Sequence, residues 1–115
     1  MTAKPAYTAP KHLRAATRAW VESVCRDYAL EPHHLRLLQL AGEAWDRSQQ
    51  AREVLAREGI TFRDRFRAIR PHPAVAIERD ARTGFARLLR ELQLDVEAPP
   101  DDRPARLPGG RKVVT

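Results

Sequence analysis

A chain of 115 residues has room for one domain with a modest core, since a chain this short buries only about two-thirds of its unfolded surface. Its 21 Lys and Arg exceed its 15 Asp and Glu, and the net charge of +6 favours an anionic partner, nucleic acid first. The lone Cys25 excludes an intramolecular disulfide and a zinc site of Cys ligands, and no apolar run approaches the ~20 residues of a membrane span. No signal peptide is visible, so we expect a cytoplasmic protein.

The first predicted helix follows residues 1–9, which show no periodicity and are expected to form a mobile arm. Pro10 suits the first turn of a helix, and an apolar face then recurs at spacings of three and four. This face consists of Leu13, Thr17, Trp20, Val24 and Tyr28. Lys11, Arg14, Arg18 and Arg26 fall on the other side. These cations either form a solvated helix face or contact DNA.

The second predicted helix is the longest element and runs from Pro32 to Glu58, roughly 40 Å at the usual rise. Its apolar residues form one stripe with a widened flank. The stripe contains Leu37, Leu40, Ala41, Ala44, Ala51 and Leu55, and the flank contains Leu38, Gly42, Trp45 and Ala56. This arc is wider than the ~100° expected of a surface helix. Either the neighbouring helices of the same chain cover it, or another subunit covers part of it.

The helical pattern breaks between Gly59 and Val75. Gly59 is a natural helix stop, because glycine tolerates the left-handed conformation that closes a C-terminus. Pro71 and Pro73 cannot lie inside a helix, although a proline can open one. The segment between these residues is therefore expected to form a short arm that joins two helices.

Two short strands around Asp64-Arg65 are predicted within this arm, because β-branched and aromatic residues flank that pair. These residues are Ile60, Thr61 and Phe62, then Phe66 and Ile69. Neither turn residue is the glycine that a tight hairpin turn prefers. The spacings of four and three between Phe62, Phe66 and Ile69 also allow a helical turn, so both conformations stay open.

Four arginines give this arm a concentrated positive charge. Arg63, Arg65, Arg67 and Arg70, with Asp64, give a local net charge of +3. Charged side chains on short strands prevent edge-to-edge aggregation, which is one explanation of the cluster. Contact with nucleic-acid phosphates is the other.

The third predicted helix opens at Pro73 and has the cleanest amphipathic pattern in the chain. Its apolar stripe consists of Ala74, Ile77, Ala81, Phe85, Leu88 and Leu92. From residue 95 to residue 115 the composition changes to prolines, glycines and charges. We expect this segment to be a disordered tail, which is commonly a tether for a partner.

The sequence contains no pattern that indicates catalysis. It has no phosphate-cradling glycine loop, no serine nucleophile elbow and no zinc-binding His-Glu-x-x-His. His33 and His34 are adjacent, so on a helix they point about 100° apart and cannot easily share a metal. His72 is expected to begin the third helix, and Trp20 and Trp45 are expected to anchor the core. We therefore expect neither an enzyme nor a cofactor or metal site.

Two runs of the sequence resemble the small subunit of a tailed-phage terminase, a component of the viral DNA-packaging motor. They are AGEAWDRSQQAREVLAREG, residues 41–59, and RPHPAVAIERDARTGFARLLRELQLD, residues 70–95. The shared pattern is a long helix with a large residue near Trp45, a glycine at position 59, a short extended insert and a proline-opened helix that closes on leucines. The resemblance covers residues 12–95. The Leu-Gly-Leu step expected after the last helix is here Leu92-Gln93-Leu94.

The resemblance implies a ring-forming homo-oligomer that recognises viral double-stranded DNA and delivers it to the large terminase subunit, which carries the ATPase and nuclease. The expected architecture is mainly α: a three-helix domain over residues 10–94 with a long central helix, and a β-hairpin-like arm between helices two and three. For DNA contact we favour Arg63, Arg65, Arg67 and Arg70, and next Lys11, Arg14 and Arg18. The alternative is a small helical protein-interaction adaptor that does not bind nucleic acid.

Overall fold

A computed structural model describes residues 7–94 and shows a mainly α-helical fold with one short hairpin. The elements in chain order are α1 (Ala15–Asp27), α2 (Pro32–Glu58), β1 (Thr61–Arg63), β2 (Ile69–Pro71) and α3 (Pro73–Glu91). The predicted architecture of three helices with a hairpin before the last one is confirmed. The predicted tail, residues 95–115, and residues 1–6 of the predicted N-terminal arm lie outside the described residues.

Helices α2 and α3 form an antiparallel pair with the hairpin at one end. Glu58, the last residue of α2, bonds to His72 just before α3, whereas Trp45 further back in α2 packs on Phe85 further along α3. The chain therefore runs up α2, turns through the hairpin and returns along α3. Both ends of α2 match the prediction, and Gly59 closes it with a φ of 84°.

The buried core lies where α1 crosses the base of this pair, away from the hairpin. It consists of Ala9, Leu13, Val21, Val24, Leu38 and Leu94. The close crossing depends on Gly42 of α2, where a Cβ atom would lie 3.1 Å from Cγ2 of Thr17 and 3.3 Å from Cδ1 of Leu13. The missing side chain thus lets α1 approach the α2 backbone closely.

Helix α3 ends in a Schellman motif that returns the chain to the core. The N–H of Leu94 donates to the carbonyl of Leu89 at 2.9 Å, and the N–H of Gln93 donates to that of Arg90 at 2.9 Å. Gln93 has a φ of 59°, the left-handed region that glycine occupies most easily. This turn buries Leu94, which is only 7% exposed. Gln93 thus adopts the left-handed conformation that the glycine of a Leu-Gly-Leu step would adopt.

The prediction that the first helix begins at Pro10 is wrong. Pro10 instead opens a turn, in which its carbonyl accepts the N–H of Leu13 at 3.3 Å, and α1 begins at Ala15. The preceding residues also differ from the expected mobile arm, because Ala9 is 2% exposed and its N–H donates to Glu22 at 2.9 Å. Tyr7 also packs against the core, so residues 7 and 9 of the predicted arm contribute to the folded domain.

Candidate nucleic-acid interface

The hairpin is built on a three-residue loop rather than on a two-residue turn at Asp64-Arg65. The N–H of Asp64 donates to the carbonyl of Ala68 at 3.0 Å, and the N–H of Arg67 donates to that of Asp64 at 2.9 Å. Arg65, Phe66 and Arg67 form the loop, and Arg67 closes it with a φ of 65°. Hairpins of this kind place a left-handed residue there, usually glycine. The two predicted strands are confirmed, but the loop takes Phe66 out of the predicted second strand, which begins at Ile69. The helical alternative is not formed.

The Asp64 carboxylate organises this loop. Its Oδ1 accepts the N–H groups of Phe66 at 2.8 Å and Ala68 at 3.0 Å, while its Oδ2 accepts Nε of Arg70 at 3.0 Å. The bond from Arg70, followed by the bond from the Ala68 N–H, holds the pKa of Asp64 below its usual range. Asp64 therefore offsets one arginine and fixes the loop, a role that sequence reasoning missed although aspartate commonly starts such turns.

All four hairpin arginines are exposed, but their surroundings differ. Arg63 donates from Nη1 to the carbonyl of Arg67 at 3.0 Å, and Arg70 is paired with Asp64. These two arginines therefore hold the hairpin together. The Arg65 guanidinium lies over the Phe66 ring, 4.9 Å from its centroid. Arg65 and Arg67 are the two arginines that belong to the loop itself.

The hairpin also exposes large apolar side chains. Ile60, Phe62, Phe66 and Ile69 are 67%, 43%, 75% and 63% exposed. The two strands pair with Phe62 opposite Arg70, so apolar and cationic groups alternate along the same short ribbon. Such a surface combines positive charge with apolar contact area.

The base of the hairpin is tied to both long helices by His72. Nδ1 of His72 accepts the N–H of Ala74 at 3.0 Å, so Nε2 carries the proton donated to Glu58 at 2.8 Å. The expected role of His72 at the start of the third helix is confirmed. The bond from His72 lowers the pKa of the Glu58 carboxyl.

The second group of predicted DNA contacts lies around the start of α1, where Lys11 and Arg14 precede the helix and Arg18 lies in its first turn. Arg14 forms two bonds to the Glu53 carboxylate, of 2.8 and 3.0 Å, which raise the pKa of Arg14 and lower that of Glu53. Within residues 7–94, Nε of Arg18 is enclosed without a hydrogen-bond partner, whereas Lys11 is exposed. Arg14 is thus committed to an intramolecular ion pair. The hairpin arginines and the cations around the start of α1 belong to different parts of the fold.

Helices α2 and α3 leave apolar surface open on the outside of the pair. Leu40, Trp45 and Ile77 are 51%, 44% and 46% exposed. Leu40 and Ile77 line an open groove of about 490 Å³ with Ala44, Ala81 and Leu88, edged by Glu43, Arg47 and Asp80. Trp45 packs on Phe85 at 5.2 Å between ring centroids but is not fully buried within this chain, contrary to its expected place as a core anchor. Trp20 is partly buried and packs against the core, as expected.

Residues 7–94 contain neither a cluster of metal ligands nor a membrane-spanning helix. No three His, Cys, Asp or Glu side chains in this part of the chain come together as a metal site. None of its helices is long and apolar enough to span a membrane. Cys25 is partly buried, and burial raises the pKa of its thiol, so it is a poor nucleophile.

A family model described as phage terminase, small subunit, matches residues 9–99, which include all the described helices and the hairpin. A search of curated proteins and a search of solved structures gave no match.

Proposed function

The chain belongs to the family of phage terminase small subunits, and from this premise we propose that it recognises viral double-stranded DNA and delivers it to the large terminase subunit. Family membership gives the broad role, viral genome packaging. In the proposed division of labour the large subunit performs the chemistry, and this chain binds and recruits without a cofactor or metal. It acts in the cytoplasm of the infected bacterial host.

The observation that supports DNA binding most strongly is the exposed hairpin with a net charge of +3. Duplex DNA carries one negative charge per ~1.7 Å of its axis, so a short arm that presents several guanidinium groups can contact adjacent phosphates. Asp64 holds the loop through three hydrogen bonds before any partner arrives. Because the loop is already ordered, little conformational entropy is lost on binding.

We also propose that the protein acts as a homo-oligomer in the form of a ring. The groove that contains Leu40 and Ile77 is apolar at its centre and carries both signs of charge at its edges, which suits contact between copies of one chain. Leu40→Lys should lower the mass measured by light scattering after size exclusion. A wild-type protein that stays monomeric at all accessible concentrations would contradict the ring.

A salt series of DNA-binding measurements tests the proposed interface. Arg65→Ala combined with Arg67→Ala removes the two loop charges and leaves in place the arginines that hold the hairpin. Each lost phosphate contact should flatten the slope of log affinity against log salt by about 0.9. The slope measured for the double variant should therefore be flatter by about 2 for each subunit that contacts DNA. Arg87→Ala with Arg90→Ala is the matched control, because it removes the same charge from the exposed surface of α3.

The outcomes separate the proposals. An unaltered slope in the hairpin variant, with circular dichroism unchanged, would move the interface to Lys11 and Arg18 at the other basic cluster. A wild-type chain that binds no duplex even at low salt would instead favour the adaptor, whose arginines only keep it in solution.

A further inference from the structure

Phe66 is the most exposed large apolar side chain in residues 7–94, at 75%. It is the central residue of the hairpin loop and has an arginine on each side. An exposed aromatic ring at a loop tip adds nothing to the core, which lies at the opposite end of the helical pair. The ring is therefore available to a partner.

The loop presents Phe66 in a fixed position. Oδ1 of Asp64 accepts the Phe66 N–H at 2.8 Å, and the same oxygen accepts the Ala68 N–H beyond it. The Arg65 guanidinium lies 4.9 Å from the ring centroid, on the face of the ring. The backbone of the tip is thus held in place, and Arg65 has to leave the face of the ring before that face can stack on a base.

We propose that Phe66 is a wedge that inserts between two base pairs of duplex DNA from the minor groove. Arg65 and Arg67 contact the phosphates that flank the opened step, so the bound DNA is kinked there. Phenylalanine is among the apolar side chains that unstack and bend duplexes in this way. The inference rests on the proposed function, because it requires the hairpin to bind DNA.

Charge identifies the occupant as nucleic acid rather than protein. The buried centre of a protein–protein interface is depleted of charged residues, whereas this ring is bracketed by two arginines in a hairpin of net charge +3. On a duplex the same arrangement is complementary, because phosphates line both sides of the groove into which the ring inserts. The apolar ring then enters the base stack while the guanidinium groups remain at the backbone.

The test uses the full chain and a short duplex with 2-aminopurine at a flexible TA step, where unstacking is easiest. Wild-type protein should raise 2-aminopurine fluorescence, because the wedge unstacks the analogue. Phe66→Ala should abolish that rise and weaken binding roughly 10-fold, a typical loss for one stacking contact, with an unchanged salt slope since no charge is removed. Phe66→Leu should keep most of the rise. Ile60→Ala is the control, because Ile60 is 67% exposed but lies outside the loop.

Three results would overturn the wedge. The wild type could bind DNA with the proposed affinity and salt slope while Phe66→Ala matches it in affinity and fluorescence. That result would leave DNA binding by the hairpin intact and remove only the wedge. A lower oligomeric mass for Phe66→Ala in light scattering would place the ring between subunits. No duplex binding by the wild type would remove the wedge together with the proposed function.

Discussion

Arg67→Gly should separate the shape of the hairpin from its charge. Arg67 has a φ of 65°, and the left-handed conformation costs a residue with a Cβ atom about 1 to 2 kcal/mol. Glycine avoids this cost but loses about 0.5 to 1 kcal/mol more chain entropy, so the hairpin should gain roughly 0.5 to 1 kcal/mol. The same change removes one guanidinium group, so the salt slope of DNA binding should flatten by about 0.9.

Amide hydrogen exchange measures the first effect. The N–H groups of Asp64 and His72 are bonded across the hairpin at 3.0 and 2.8 Å, and both should exchange about 2- to 5-fold more slowly in the glycine variant. Arg67→Ala is the matched control, because it loses the same charge but keeps the Cβ atom. Equal exchange in the two variants, or faster exchange in the glycine variant than in the wild type, would show that the left-handed conformation of Arg67 costs the hairpin no stability.

Three further predictions concern stability. Gln93→Gly should raise the free energy of unfolding by roughly 0.5 to 1 kcal/mol in urea titration, because Gln93 has a φ of 59°, whereas Gln93→Ala should not. Asp64 has a lowered pKa, so its contribution to the hairpin is complete at neutral pH and is lost as the pH falls below about 4. The protection factor of the Phe66 amide, corrected for the intrinsic exchange rate at each pH, should fall there, and Asp64→Asn should remove that fall. Trp45→Ala should lower the free energy of unfolding by about 2 kcal/mol, less than the roughly 3 to 5 kcal/mol lost with a fully buried aromatic side chain, because 44% of Trp45 is exposed. A melting temperature equal to that of the wild type would contradict the packing of Trp45 on Phe85.

Local signals in the sequence were sufficient to predict the two long helices. Proline and glycine set helix ends through their own backbone conformation, so these ends are visible in the sequence. Helix α2 begins at Pro32 and ends before Gly59, and α3 begins at Pro73, as predicted. The start of α1 could not be found in this way. Its N-terminus is capped by a residue of another helix, since Asp46 accepts the N–H of Arg14 at 2.8 Å and also the hydroxyl of Thr17.

The candidate site was predictable in composition but not in geometry. The four arginines and the two strands are visible in the sequence, whereas the loop depends on a left-handed arginine at position 67 that no propensity favours. The division of labour among the arginines also depends on tertiary placement. Arg14 faces Glu53, which lies 39 residues further along the chain, so sequence spacing alone could not separate it from the free cations.

The most direct test of DNA recognition by the hairpin is hydrogen–deuterium exchange of the full chain with and without duplex DNA. If the hairpin binds DNA, peptides that cover residues 60–71 should become protected, whereas peptides from the middle of α3 should stay unchanged and serve as the internal reference. Protection confined to α1, or none in the hairpin at saturating DNA, would contradict DNA recognition by the hairpin.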